Sequence, residues 1–259
     1  MEKNPEEIKK MVREGYVKAI QKNTGCCSSG SCCGSMSQPR VISEKVGYSV
    51  EDMNAVPEGA NLGFGCGNPV AFAAIQEGDV VLDLGSGAGF DAFLAAQKVG
   101  KTGRVIGVDM TPEMIAKAGE NAGKGDYSNV EFRLGEIESL PVEDRSVDLI
   151  ISNCVINLSP EKEKVFKEAF RVLKPGGKLM VSDLVLTRDL SEGLKTSMEA
   201  YVGCLAGAIK KDDYLGLIRA AGFQDIKVIS EASYPVDAMF EDLKSAEGAV
   251  VSMKVSAVK

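Results

Sequence analysis

Seven cysteines and no histidine set the chemistry open to this 259-residue chain. Without histidine there is no Ser-His-Asp or Cys-His pair and no histidine-ligated metal. Proton transfer then falls to carboxylates, Lys, Tyr, Cys or water. Four cysteines form two vicinal pairs, Cys26-Cys27 and Cys32-Cys33, in a stretch of Gly and Ser. Such pairs can trap or deliver a thiophilic species, bind zinc, or form a disulfide during turnover, although adjacent cysteines fit the usual zinc spacing poorly. The other three stand apart: Cys66 in Gly65-Cys66-Gly67-Asn68-Pro69, Cys154 in Ser152-Asn153-Cys154-Val155-Ile156-Asn157, and Cys204 in Gly203-Cys204-Leu205-Ala206-Gly207. Any one alone reads more readily as a small buried hydrophobe. Brought together, they would offer three soft thiolate ligands.

A second constellation is the glycine run Asp83-Leu84-Gly85-Ser86-Gly87-Ala88-Gly89, followed at some distance by Asp109. Glycines there permit a tight turn and let a ligand approach the backbone. The spacing is GxGxG, not the GxGxxG of pyrophosphate-binding dinucleotide sites, so NAD and FAD are disfavoured. Asp109 stands where a carboxylate would accept both ribose hydroxyl protons.

These residues need a frame, and the hydrophobic pattern predicts one. Val80 to Leu84 reads as a buried strand, with a helix over Phe90 to Val99; Arg104 to Asp109 is a second strand. Thr111 and Pro112 open a helix that runs to about Ala122, with Thr at the cap and Pro at the first position. Val130 to Leu134 and Val147 to Ser152 are the next strands; a helix from about Pro160 to Leu173 closes on Lys174-Pro175-Gly176-Gly177, and Lys178 to Leu186 is the fifth strand. Strict alternation implies a doubly wound, mostly parallel α/β sheet. Beyond Thr187 the chain reads as helical through about Gly222, and Asp225 to Ser230 and Ala249 to Val258 as strands forming an antiparallel edge. Before the sheet, Asn4 to Lys22 has the spacing of an amphipathic helix, followed by the cysteine loop. The expected division is residues 1–45 (helix and cysteine-rich loop), 46–186 (cofactor-binding core) and 187–259 (helical acceptor-site insertion and final strands). Cys154 then lies just past the carboxyl end of the fourth strand, where ligands of open α/β sheets bind. Cys66 and Cys204 fall in the two segments from which a lid could fold over that site.

Val81 to Gly89, Gly107-Val108-Asp109-Met110, Gly135-Glu136-Ile137-Glu138-Ser139-Leu140-Pro141 and Leu173-Lys174-Pro175-Gly176-Gly177 resemble the Rossmann-like class I methyltransferases. The resemblance implies S-adenosylmethionine. Asp83, Gly85, Ser86, Gly87 and Gly89 would lie near its methionine part, Asp109 and Met110 at the ribose, Glu136 and Ile137 beside the adenine, with Asn153 also a cofactor contact. Three thiolates select a soft acceptor such as trivalent arsenic and leave its lone pair pointing away from sulfur. Such an acceptor has no proton to lose, in keeping with the missing histidine. The segments around Cys66, Cys154 and Cys204 are similar to those of arsenite methyltransferases, from the cysteine loop to about Phe223. That similarity implies that Cys66, Cys154 and Cys204 bind arsenic and carry its methylation for detoxification. It also implies that an upstream cysteine joins a disulfide relay fed by a thiol reductant of thioredoxin or glutathione type, with Cys26, Cys27, Cys32 and Cys33 as the accessory thiols.

The formal charge of −7 and the lack of a basic run disfavour a nucleic-acid partner. No apolar run is long enough to span a membrane, and the N-terminus mixes Lys and Glu without the apolar core of a signal peptide. The expectation is a cytoplasmic protein with reduced thiols. Two alternatives stand beside the arsenite reading. One is a methyltransferase of the same fold acting on a carbon or oxygen acceptor of quinone or sterol type; the other is a metalloid-binding thiol protein without turnover.

Overall fold

A parallel strand covered on both faces is written as a near-continuous apolar run, and Val80–Leu84 (β1) is such a run apart from Asp83, buried along four of its five residues. The computed structural model describes residues 4–24, 39–125, 127–191, 193–194, 197–234 and 248–259. In it, β1 lies at the centre of a seven-stranded sheet with Arg104–Asp109 (β2), Val130–Leu134 (β3), Val147–Asn153 (β4), Leu173–Leu186 (β5), Gln224–Ser233 (β6) and Val250–Val258 (β7). The spatial order is β3-β2-β1-β4-β5-β7-β6. β1 pairs in parallel with both β2 and β4, so the order reverses there and a crevice opens past the strand ends.

The last two strands refine the expected antiparallel edge. β7 is the reversed strand and lies one position inside the edge, antiparallel to both β5 and β6. Burial explains the choice: β7 keeps no residue exposed, whereas most of β6 faces solvent. The more apolar strand takes the covered position although it comes last in the chain.

Helices Pro5–Thr24 (α1), Pro39–Lys45 (α2), Val50–Asn54 (α3) and Pro69–Phe72 (α4) precede the sheet. Phe90–Val99 (α5), Pro112–Ala122 (α6) and Lys162–Val172 (α7) follow β1, β2 and β4, the last after a 3₁₀ turn at Ile156–Leu158. Thr111 occupies the cap of α6 with Pro112 behind it, but its side chain makes no capping bond. The sequence reads as helix through about Gly222; among the described residues the structure instead has separate short helices, including Met198–Val202 (α8) and Lys211–Ala220 (α9), with turns between these two. A continuous helix is blocked because Gly207 rests on the backbone of Asn157, where an added Cβ would lie 2.0 Å from the carbonyl oxygen, and because Cys204 takes φ +63°. α1 crosses α8 at Gly15, whose missing side chain makes room for Val202. Among the described residues no helix is long and apolar enough to cross a membrane.

Candidate active site

The glycine turn after β1 and the end of β2 form one unit. Gly85, Gly87 and Gly89 all have positive φ; at Gly85 a Cβ would come within 2.4 Å of Val155 Cγ2, so the turn admits no side chain there. Asp109 fastens the turn: Oδ2 accepts from Gly87 N at 3.0 Å and Oδ1 from Thr111 N at 2.8 Å. Each oxygen keeps lone-pair capacity for a further donor. Burial raises the Asp109 pKa above the ordinary carboxylate value against these two donors.

This unit lines a cleft whose wall includes Asp83, Gly85, Ser86, Gly87, Asp91, Asp109, Met110, Ile137, Asn153 and Cys154. Two expected contacts are placed differently. Gly89 is off the wall and caps α5, pressed against Phe93 and Phe132, where a Cβ would meet ring carbons at 2.6 and 2.8 Å. Glu136 is at the rim, drawn to Lys9 of α1 at 2.7 Å, while its neighbours Ile137 and Glu138 form the wall. Lys9 also faces Glu138 and Glu161, both at 3.7 Å. Burial would lower the pKa of this ammonium, but the three carboxylates outweigh it and raise it. With Val12 and Tyr16, Lys9 makes α1 one side of the cleft, a role its amphipathic spacing did not announce.

The cleft is built for a ligand bearing positive charge and hydrogen-bond donors. Asp83 Oδ2 and Ser86 Oγ, both of wall residues, are buried and lack a hydrogen-bond partner in the structure, an arrangement that costs roughly 1–3 kcal/mol per group unless a ligand completes it. Burial, then the neighbouring Asp91 and Asp109, push Asp83 well above the usual carboxylate range. Burial lifts Asp91 to about 6 although Tyr48 and Asn153 donate to it. A cation would relieve all three carboxylates.

The three isolated thiols lie near one another beside the cleft, with Cys154 on its wall. Cys66, Cys154 and Cys204 are 3%, 6% and 4% exposed and share an apolar cluster with Val12, Leu158 and Leu205. Cys66 Sγ and Cys154 Sγ lie within 4.8 Å of each other. Cys204 Sγ donates to the Cys154 carbonyl at 2.8 Å, and Cys66 Sγ to Ser182 O at 3.4 Å. Burial raises the Cys154 thiol well above its ordinary pKa, and Cys204 and Cys66 raise it further; burial also pushes Cys66 up. Cys154 and Cys204 have φ +60° and +63°, two of five such non-glycine residues among those described. Left-handed backbone of this kind costs on the order of 1–3 kcal/mol and gathers where function needs a side chain re-aimed.

Residue types alone did not single out Asp183, Tyr48 or Asp91. Asp183 is fully buried, with a carboxylate oxygen within 4.8 Å of the Cys66 and Cys154 sulfurs; it accepts from Tyr214 OH at 3.0 Å. Burial raises it to about 7, opposed by that bond. A charged residue inside the apolar run Met180 to Val185 was the available signal. Cys26, Cys27, Cys32 and Cys33 lie outside the described residues.

A family model described as a methyltransferase domain matches residues 75–222. The chain is similar to an arsenite methyltransferase of Halobacterium salinarum, 49% identical over 235 residues, covering 88% of this chain and 60% of that one. A human arsenite methyltransferase is 34% identical over 229 residues, covering 84% and 58%. Among solved structures, an arsenic(III) S-adenosylmethionine methyltransferase from Chlamydomonas reinhardtii superposes with TM-score 0.65 at 36% identity, covering 87% of this chain and 74% of that one. The chain thus spans about three fifths of the length of these two curated relatives.

Proposed function

Because the chain belongs to the methyltransferase-domain family and, within it, to the arsenite methyltransferases, we propose that it methylates trivalent arsenic with S-adenosylmethionine. The observation that carries this reading is the convergence of three thiols from distant segments at one end of the cleft, with Cys154 itself on the cleft wall.

When bound, S-adenosylmethionine supplies an electrophilic methyl group on a sulfonium. Asp109 would hold the ribose hydroxyls, Asp83 and Asp91 the cationic amino-acid end, and Ile137 the adenine face. Cys66, Cys154 and Cys204 hold arsenic. Each thiol proton leaves with one arsenite hydroxyl as water, so the raised pKa of Cys66 and Cys154 does not block ligation and no separate base is needed. The arsenic lone pair, left free by three sulfur ligands, then forms the carbon–arsenic bond. The protein's part is alignment, which can supply on the order of 7 kcal/mol or more of a barrier. Methylation leaves arsenic formally pentavalent, and a thiol reductant of thioredoxin or glutathione type returns it to the trivalent state with the help of the upstream cysteines.

Purified protein given S-adenosylmethionine, arsenite and a thiol reductant is expected to yield methylated arsenic by mass spectrometry. No product, with cofactor still bound, would favour the carbon or oxygen acceptor.

The carboxylates give this assignment a pH signature. Asp91, at about 6 in the free protein, must be ionised to pair with a cation, and the bound cation then lowers its pKa. Cofactor binding is therefore expected to tighten by about tenfold from pH 5 to pH 7 by linkage, read by titration calorimetry. An affinity flat across that range would remove Asp91 from the cationic contact.

A further inference from the structure

We propose that Asn153 is a positioning residue that couples occupancy of the cofactor cleft to the placement of Cys66, so that cofactor and thiol-bound acceptor tighten each other's binding. The proposal rests on the assignment of cleft and thiols made above.

Asn153 ends β4 and lines the cleft. One side of its amide holds the Cys66 loop at three consecutive residues. Oδ1 accepts from Cys66 N at 3.0 Å, and Nδ2 donates to Gly67 O at 2.8 Å. The amide also lies against Gly65, where a Cβ would come within 2.8 Å of Nδ2 and 2.9 Å of Oδ1. The far side of the loop is gripped as firmly. A Cβ on Gly67 would sit 1.9 Å from Ser182 Oγ, and Ser252 Oγ donates to Cys66 O at 2.6 Å. The glycines flanking Cys66 thus let the loop be clamped between the Asn153 amide and strands β5 and β7. A shift of that amide moves Cys66 and is not absorbed by slack.

The other side of the amide faces the cleft carboxylate. Nδ2 lies 3.0 Å from Asp91 Oδ2 and 2.8 Å from Tyr48 OH, while Tyr48 OH donates to Asp91 Oδ1 at 2.6 Å. With Gly67 O, this makes three acceptors for an NH₂ that carries two hydrogens. The amide is over-subscribed, and its hold on the Cys66 loop is diluted. A cation seated at Asp91 competes for Oδ2 and weakens it as an acceptor, so that the two amide hydrogens turn to Gly67 O and Tyr48 OH. The contact to the Cys66 loop then becomes complete, and the thiol is fixed where the acceptor needs it. Because coupling between two ligands is reciprocal, a bound acceptor tightens the cofactor equally.

The test is arsenite binding by titration calorimetry with and without saturating S-adenosylhomocysteine, which keeps the ammonium and carries no methyl group to transfer. In the wild-type protein arsenite is expected to bind about fivefold tighter with S-adenosylhomocysteine present, the scale of one hydrogen bond completed. Tyr48→Phe removes the third acceptor. It should bring the affinity of the free protein up to the cofactor-bound value and shrink the ratio to near one. Asn153→Ala should bind arsenite more weakly in both states, again with a ratio near one. Arsenite binding in the wild type that is indifferent to S-adenosylhomocysteine overturns the coupling and leaves the acceptor assignment intact. So does a full fivefold ratio persisting in both variants. Absence of arsenite binding to the wild type, with S-adenosylhomocysteine still bound, overturns the acceptor assignment and the coupling with it.

Discussion

Cys154→Ser is expected to lower arsenite methylation by at least about 10³-fold, some 4 kcal/mol of transition-state stabilisation, while S-adenosylmethionine binds within about twofold of wild type. Serine fills nearly the same space, so the end of β4 and the cleft wall keep their shape. What disappears is a soft donor at the point where cleft and thiol cluster meet, and a hydroxyl is a poor ligand for a thiophilic centre. Two sulfurs would remain, Cys66 and Cys204, without the one that contacts both in the native cluster. Turnover by mass spectrometry and cofactor affinity by calorimetry are measured on the same preparation. Lost cofactor binding with arsenite binding retained would move Cys154 out of the acceptor site and into the cofactor site.

Asp109→Ala should do the reverse. Its two oxygens each fasten one backbone N–H and retain capacity for a ribose hydroxyl, and a hydrogen bond to a charged group contributes roughly 1.5–3 kcal/mol. Losing two such ligand contacts weakens cofactor binding by about 10²-fold or more. The freed N–H groups of Gly87 and Thr111 also loosen the glycine turn. Arsenite binding, measured separately, should survive because no Asp109 hydrogen bond reaches the thiols. Unchanged cofactor affinity would sink the assignment of Asp109 to the ribose.

Much of the frame was legible because its strands write their environment locally. β1, β2 and β4 are largely buried and appear as short, mainly apolar runs, and the glycines at 85, 87 and 89 stand at positions of positive φ. The motifs around Cys66, Cys154 and Cys204 pointed to one site; the Cys66 and Cys154 sulfurs lie within 4.8 Å of each other and Cys204 Sγ bonds the Cys154 carbonyl. Less visible was everything decided by partners far along the chain. The bond from Cys66 N to Asn153 spans 87 positions. That from Tyr48 to Asp91 spans 43, and neither end carries a periodic signal. The Lys9 ion pair that draws Glu136 to the rim depends on where α1 docks. The same holds for the break between α8 and α9, which follows from the close approach of Gly207 to Asn157. The left-handed turns at Cys154 and Cys204 are hidden too, since nothing in a cysteine announces φ near +60°.

The central proposal is that arsenic held by the protein is the methyl acceptor. A single turnover tests this most directly: protein saturated with S-adenosylmethionine and mixed with one equivalent of arsenite, without added thiol, then quenched and assayed by mass spectrometry. Monomethylated arsenic and S-adenosylhomocysteine are expected in equal amounts, approaching one of each per protein chain. Cofactor left intact beside bound, unmethylated arsenic would contradict it.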